Sequence, residues 1–317
     1  MVGLPSVTRT QLHRMSPIKV SVIIPSFNSS ATIERCLRSL LSQNTSYSYE
    51  VIVADSSTDG TGDLIAELFP EIRLCRSRDR MYPGAAFNKG IAEAQGELLA
   101  FTGADCVASP SWIQNIVDAH EKDHLAIGGA IDNANPESYM GWAYYFFEFS
   151  QWMPAGSPRL MAEIPTGCLS VKRRAFEEFG PFAEEGFCSD TVFSWRMVQA
   201  GHKPWFVPSI RIAHINPETL FDHVRRKVRH GWFFARVRSK EKRFSLAKRA
   251  GYAMGCTILP ALLLLRICRR VASSRCYGRQ FLLVLPPIVV HAIAWSVGEA
   301  IGYLSPSPSS SRDMVHA

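Results

Sequence analysis

No C-x-x-C pair occurs among the eight cysteines, which stand singly at 36, 75, 106, 168, 188, 256, 268 and 276 of the 317 residues. That absence argues against a zinc site, and isolated cysteines in a chain this long fit a reducing compartment. The first 17 residues hold no apolar run, so they read as a loose tail without a secretory signal. No G-x-G-x-x-G follows the first apolar run, which disfavours a nicotinamide or flavin domain, and no G-x-x-x-x-G-K-[ST] occurs, which disfavours a P-loop. A disordered chain is excluded too, because the sequence is 47% apolar with a net charge of only +7.

What is present begins with an alternation. Residues 19–24 (KVSVII) form a β-branched run without helical period, expected as a buried parallel strand that stops at Pro25. A helix should follow, with Ser30 as its cap and Ile33, Leu37, Leu40 and Leu41 on one face. A second strand over residues 50–54 (EVIVA) ends at Asp55, and turn and helix return. A short strand (IRLCR), a helix (GAAFNKGIAEA) and a fourth strand (ELLAFT) then lead to Asp105. Strand alternating with helix predicts a doubly wound α/β sheet, in which ligands lie beyond the carboxyl ends of the strands. Asp55 and Asp105 both fall there. Either alone is an ordinary turn residue; together they suit a cation holding a diphosphate, with Asp55 accepting from a base or ribose.

Four segments carry a resemblance. Residues 22–28 (VIIPSFN), 55–61 (DSSTDGT), 88–91 (NKGI) and 103–105 (GAD) resemble family 2 glycosyltransferases of the GT-A fold, and the likeness runs from residue 19 to about 235. Residues 165–185, 188–208 and 211–215 resemble the family's acceptor-side strand and helix, its catalytic-base segment and its closing strand. The resemblance implies a mixed GT-A sheet over 18–222, with a nucleotide-binding half (18–105) and an acceptor half (106–222). It implies donor contacts from Pro25, Ser26, Asn28, Asp55, Asn88, Gly103, Ala104 and Asp105. It implies Mn²⁺ or Mg²⁺ on Asp105 and His214, Asp190 as general base, and Gly167 and Cys168 on the acceptor side. A UDP-sugar is the expected donor. Three positions depart from the pattern: Gly103 and Ser189 replace acids, and Phe87 replaces an arginine. A Gly103→Asp exchange is nevertheless expected to leave transfer working. No Q-x-x-R-W motif follows Asp190, which favours transfer of a single sugar over processive synthesis. A non-catalytic relative is the alternative that Gly103 would explain.

The remaining third is basic, then apolar. Residues 225–249 hold eleven Lys or Arg against one acid, Glu241. No nucleic-acid motif accompanies them, so no nucleic-acid partner is expected. Residues 223–250 read as a basic juxtamembrane segment, and 251–304 as two membrane segments: 281–304 is long enough to cross a bilayer and 251–265 is too short. Basic residues on both sides of the shorter one suggest that it dips in and returns, with Pro260 helping it bend. The alternative is a pair of buried helices in a soluble domain. His291 and Glu299 lie eight residues apart, either working within the membrane or facing the catalytic domain or headgroups. A cytoplasmic membrane location with the catalytic domain in the cytoplasm, and a lipid-linked or otherwise membrane-presented acceptor, follow as expectations. Residues 305–317 read as a second loose tail.

Overall fold

A computed structural model describes residues 17–305; the remainder of the two expected tails, 1–16 and 306–317, lies outside the described residues. Among the described residues, nine strands form one mixed sheet. β1 (Val20–Ser26) sits near its middle, parallel to β2 (Tyr49–Asp55) on one side and to β4 (Leu98–Phe101) on the other; β3 (Arg73–Arg76) extends it beyond β2. Val20, Val22, Ile23 and Ile24 are fully buried, which removes roughly 1.5–3 kcal/mol worth of apolar side chain from water at each. Pro25 is tolerated inside this central strand because β4 ends opposite Ile23, so the missing N–H interrupts no ladder bond on that side.

Beyond β4 the sheet changes character. β8 (Leu169–Lys172) is antiparallel to β4 and to β6 (Ala126–Asn133). β6 runs parallel to β9 (Trp205–His214), and β5 (Cys106–Ala108) closes that edge antiparallel to β9. β7 (Arg159–Leu160) pairs with β9 off the main path.

Helices cover the sheet. α1 (Ile33–Leu41) buries Ile33, Cys36, Leu37 and Leu40 as its period requires. Its cap is Thr32 rather than Ser30, whose amide instead donates to Asp59 Oδ2 at 3.2 Å. α2 (Thr61–Leu68), α3 (Pro83–Glu93) and α4 (Trp112–His120) follow the first strands in turn. α5 (Tyr139–Phe149), α6 (Arg174–Phe179) and α7 (Ser189–Gln199) belong to the second half.

Most of the basic run lies on one long helix, α8 (Leu220–Glu241); Lys242 and Arg243 follow it, and Lys248 and Arg249 fall in the next helix. α8 does not lie free. It runs beside α12 (Leu285–Leu304), in contact from His223 against His291 to Arg238 against Tyr303. Gly231 of α8 and Gly298 and Gly302 of α12 let the backbones meet: a Cβ at any of the three would strike a carbonyl of the facing helix. The shorter apolar segment is two helices, α9 (Leu246–Gly255) and α10 (Leu259–Ser274), bent by 63°. Pro260 fits the bend. It opens α10 and cannot donate to the Cys256 carbonyl four residues back, and the break falls at residues 256–258, just before it. α11 (Gly278–Leu283) splits off the start of the longer segment, leaving α12 long and apolar enough to cross a membrane. His291 and Glu299 both turn inward and are buried. His223 Nε2–H donates to the Pro217 carbonyl, so its Nδ1 accepts from His291 Nε2–H at 2.8 Å. Glu299 accepts from the Trp295 indole at 2.5 Å.

Candidate active site

The ends of β1 and β2 are tied together. Asn28 takes the left-handed conformation (φ 52°), which asparagine tolerates, and its Oδ1 accepts from Thr58 N at 2.9 Å. Its amide donates to Ser57 Oγ at 2.8 Å, and Ser57 Oγ donates to Asp55 Oδ1 at 2.5 Å. Ser26 is buried, its oxygen 3.5 Å from that of Ser57. Pro25, Ser26, Asn28 and Asp55 therefore share one rim at the carboxyl edge of the sheet. Asn88 does not join them. Its amide donates to the Phe182 carbonyl and to Glu184, and its oxygen accepts from Phe182 N, each at 3.0 Å. It clamps α3 to the loop before α7.

Gly103, Ala104 and Asp105 form the turn between β4 and β5. Cys106 pairs with His214 in the β5–β9 register, and this sets the imidazole beside the preceding residue. His214 Nε2 lies 3.3 Å from Asp105 Oδ2, and its Nδ1 lies 2.9 Å from Asn216 Oδ1. Asn216 donates in turn to Asn133 Oδ1 at 2.8 Å. That fixes its oxygen toward the ring and leaves Nε2 directed at the carboxylate. The charges reinforce each other: despite burial, His214 holds Asp105 below the usual carboxylate range, and Asp105 lifts His214 above the usual imidazole range. Ligand atoms of Asp105, Cys106 and His214 all lie within 4.8 Å of one another. The buried Cys106 thiol is pushed well up by burial and by Asp105, so it remains protonated and is a poor ligand. Gly103 is not spare room. A Cβ there would stand 2.5 Å from Asp105 Oδ1, the free end of that side chain, so Gly103→Asp, expected to leave transfer working, requires this carboxylate to shift.

Asp190 lies in the first turn of α7. Oδ2 accepts from Thr166 N at 3.2 Å and Oδ1 from Thr191 N at 2.8 Å. Burial nonetheless raises its pKa above the ordinary carboxylate value. It lines a cavity of about 980 Å³ between the sheet domain and α8–α10. Gly167 and Cys168 form a 3₁₀ turn over Thr166–Cys168 at this end. The Cys168 thiol, however, points into the core and accepts from the Trp112 indole at 3.4 Å. An acceptor contact through Cys168 is therefore replaced by a packing role, and the turn offers the site its Thr166 amide instead.

The model of glycosyl transferase family 2 matches residues 21–179, half of the chain. The chain belongs to glycosyl transferase family 2. Its fold is GT-A: a mannosyltransferase from Pyrobaculum calidifontis, solved with GDP-Man and Mn²⁺, superposes with a TM-score of 0.59 at 19% identity, covering 92% of this chain and 88% of that one. Glycosyltransferase AglE of Haloferax volcanii is 28% identical over 203 residues, 62% of this chain and 66% of that protein. A Methanococcus voltae enzyme named as a dolichyl N-acetylglucosaminyl phosphate diacetamido-dideoxy-glucuronosyltransferase is 29% identical over 55% of this chain and 50% of that protein. The chain thus spans between half and two thirds of these two relatives' lengths.

Between the strand-end site and Asp190, this family 2 member places a charged pair that the sequence reading missed. Lys227 of α8 is fully buried and hydrogen-bonds Glu148, the penultimate residue of α5. Its ammonium also sits 4.0 Å from the centre of the Tyr144 ring. Lys227 holds Glu148 at about 2, against the opposing effect of burial. Glu148 Oε1 lies 3.7 Å from His230 Nδ1. Glu148 feels both His214 and His230, and His230 feels Asp190. The pair thus stands electrostatically between the two halves of the site. The partners are 79 residues apart. The one available sign was a lysine on the apolar stripe of an otherwise basic helix.

Proposed function

We propose that this chain transfers a single sugar from a nucleotide-sugar donor to a hydroxyl of a membrane-presented acceptor, with inversion of the anomeric centre. The observation that carries the reading is the pairing of one strand-end Asp–His site with one half-buried carboxylate in a large adjoining cavity. An inverting displacement needs these two parts. One holds the leaving diphosphate, and the other takes the acceptor's proton on the opposite side.

Asp105 and His214 would hold a divalent cation, which neutralises charge on the departing diphosphate. One carboxylate suffices when phosphates and waters complete the shell. The imidazole fits Mn²⁺ better than Mg²⁺, which prefers oxygen. The mannosyltransferase solved with Mn²⁺ supports a cation of this kind. The rim of Asn28, Ser57 and Asp55 would take the nucleoside. A UDP-sugar is the donor in this reading, and the GDP-Man of that neighbour makes GDP-sugars the first alternative. Asp190 would accept the proton of the attacking hydroxyl. Thr166 N fixes one carboxylate oxygen, and burial raises the group's basicity.

The membrane part rests on surface chemistry. Val289, Ile293, Val297, Ile301 and Leu304 of α12 are all exposed along one stripe, opposite the face on α8. On α9, Leu246 and Met254 are exposed, as is Ile258 at the bend. Lipid would cover these residues while the arginines of α8 and the α9–α10 region stay with anionic headgroups, as on a cytoplasmic leaflet.

A thermal-shift screen of UDP-, GDP- and dTDP-sugars with Mn²⁺ tests the donor half. A true donor at a hundred times its dissociation constant stabilises by about 2.7 kcal/mol. If none of them stabilises the chain, the reading fails. NMR of the product tests inversion, since retention of the donor's anomeric configuration would exclude Asp190 as a simple base.

A further inference from the structure

We infer that the cavity beside Asp190 is built for an amphiphilic acceptor that carries a phosphate between its apolar tail and its reacting sugar, with Arg266 and Arg270 as the phosphate ligands. The inference rests on the assignment of Asp190 as the base and adds the class of acceptor and the residues that select it.

The cavity wall carries two kinds of charge. One part holds Asp190 and Glu163. Burial and Asp190 raise the Glu163 pKa while Arg270 opposes them, so the arginine adjoins this acidic pair. The neighbouring wall on α10 is basic. Arg266 and Arg270 line it from successive turns of α10, and Arg238 of α8 joins them. Arg270 is already fixed, donating to Gln151 and, at 3.5 Å, to Ser150 Oγ. Arg238 is fixed too, donating to Tyr303 OH at 3.1 Å with its guanidinium over the Tyr252 ring. Arg266 makes no hydrogen bond or ion pair among the described residues and is exposed, though it lies near Arg270 and Glu299. Two anchored guanidinium groups and a free one, lining one cavity, match the planar, multidentate recognition of a phosphate.

The same wall is apolar outward. Ile258 and Leu262 line the cavity and are 62% and 42% exposed. A soluble glycan would have no use for them, whereas a hydrocarbon tail leaving the phosphate would cover them on its way to the membrane-facing stripe. The order tail, phosphate, sugar hydroxyl then follows the order of the lining, from α10 through the arginines to Asp190.

Trp152, Trp195 and Trp295 line the cavity, so tryptophan fluorescence of the purified full chain in detergent reports occupancy without turnover. Farnesyl phosphate is the probe, with farnesol and inorganic phosphate as controls. We expect saturable binding of farnesyl phosphate, farnesol at least about tenfold weaker, and no displacement by inorganic phosphate at equal concentration. Arg266→Gln, which disturbs no existing hydrogen bond, should weaken farnesyl phosphate about tenfold and leave farnesol and nucleotide binding unchanged. Equal affinity for farnesyl phosphate and farnesol would overturn the inference, as would unchanged binding by Arg266→Gln. Displacement by inorganic phosphate alone would make this a free-anion site and overturn the lipid assignment. These outcomes are separate from the functional reading: Asp190→Asn that keeps full transfer defeats that reading while leaving phosphate discrimination intact.

Discussion

His214 Nε2 faces Asp105 Oδ2 at 3.3 Å because β5 and β9 pair in a register that puts Cys106 opposite His214. The site is thus fixed by backbone pairing and by the Asn216 contact behind the ring. Two residues 109 positions apart need no flexible loop to find each other.

Gly103 is predicted to be intolerant. In Gly103→Ala the new Cβ would press on Asp105 Oδ1, 2.5 Å away in the present geometry. Asp105 would turn from His214, and Mn²⁺-dependent donor binding should weaken about tenfold or more, read by titration calorimetry with the nucleotide sugar. Unchanged affinity would show that the turn relaxes freely.

Removing the cation should stop the reaction. Excess EDTA is expected to abolish transfer and Mn²⁺ to restore it, with Mg²⁺ less effective because His214 supplies nitrogen. Full turnover in EDTA would eliminate the Asp105–His214 metal role.

Lys227→Met should destabilise the fold by up to about 3–5 kcal/mol in urea unfolding, because it takes the cation from Glu148, whose side chain is only 20% exposed. Adding Glu148→Gln should recover most of the loss. The acid side follows from the same pair. Glu148 is held at about 2 in the folded chain, well below its unfolded value. Its contribution is therefore fully present above the ordinary glutamate range and is lost as pH falls through about 4 toward 2.

Membrane binding should depend on one stripe of α12. Replacing Ile293, Val297 and Ile301 by lysine touches only residues about half exposed. The triple variant should stay folded by circular dichroism yet pellet poorly with anionic vesicles. Undiminished pelleting would move the membrane contact elsewhere.

The first half of the fold was legible because its strands are short, apolar and β-branched between Gly, Asp and Pro turns. Read as 19–24 and 50–54, the first two strands prove to be Val20–Ser26 and Tyr49–Asp55. Asp55 proves to be the last residue of β2, and Asp105 falls beyond the end of β4. Three things were not legible. The helix cap moved from Ser30 to Thr32 because the Asp59 carboxylate captures the Ser30 amide across the sheet edge. Asn88 and Cys168 carry polar atoms that a motif assigns to ligands but that tertiary packing uses for the Phe182 clamp and the Trp112 contact. The Glu148–Lys227 pair exists only because α8 packs against α5, a relation without local signature. The C-terminal apolar run and the bend beside Pro260 were visible in the sequence.

The most direct test of the account compares donor binding and sugar transfer in one preparation of Asp190→Asn. Burial raises the Asp190 pKa above the ordinary carboxylate value, so wild-type kcat/KM should fall on an acid limb above that range. The asparagine variant should bind Mn²⁺ and nucleotide sugar as wild type does, yet lose transfer by about 10²–10⁴-fold and with it that limb. Transfer within threefold of wild type, with the acid limb unchanged, would contradict the account.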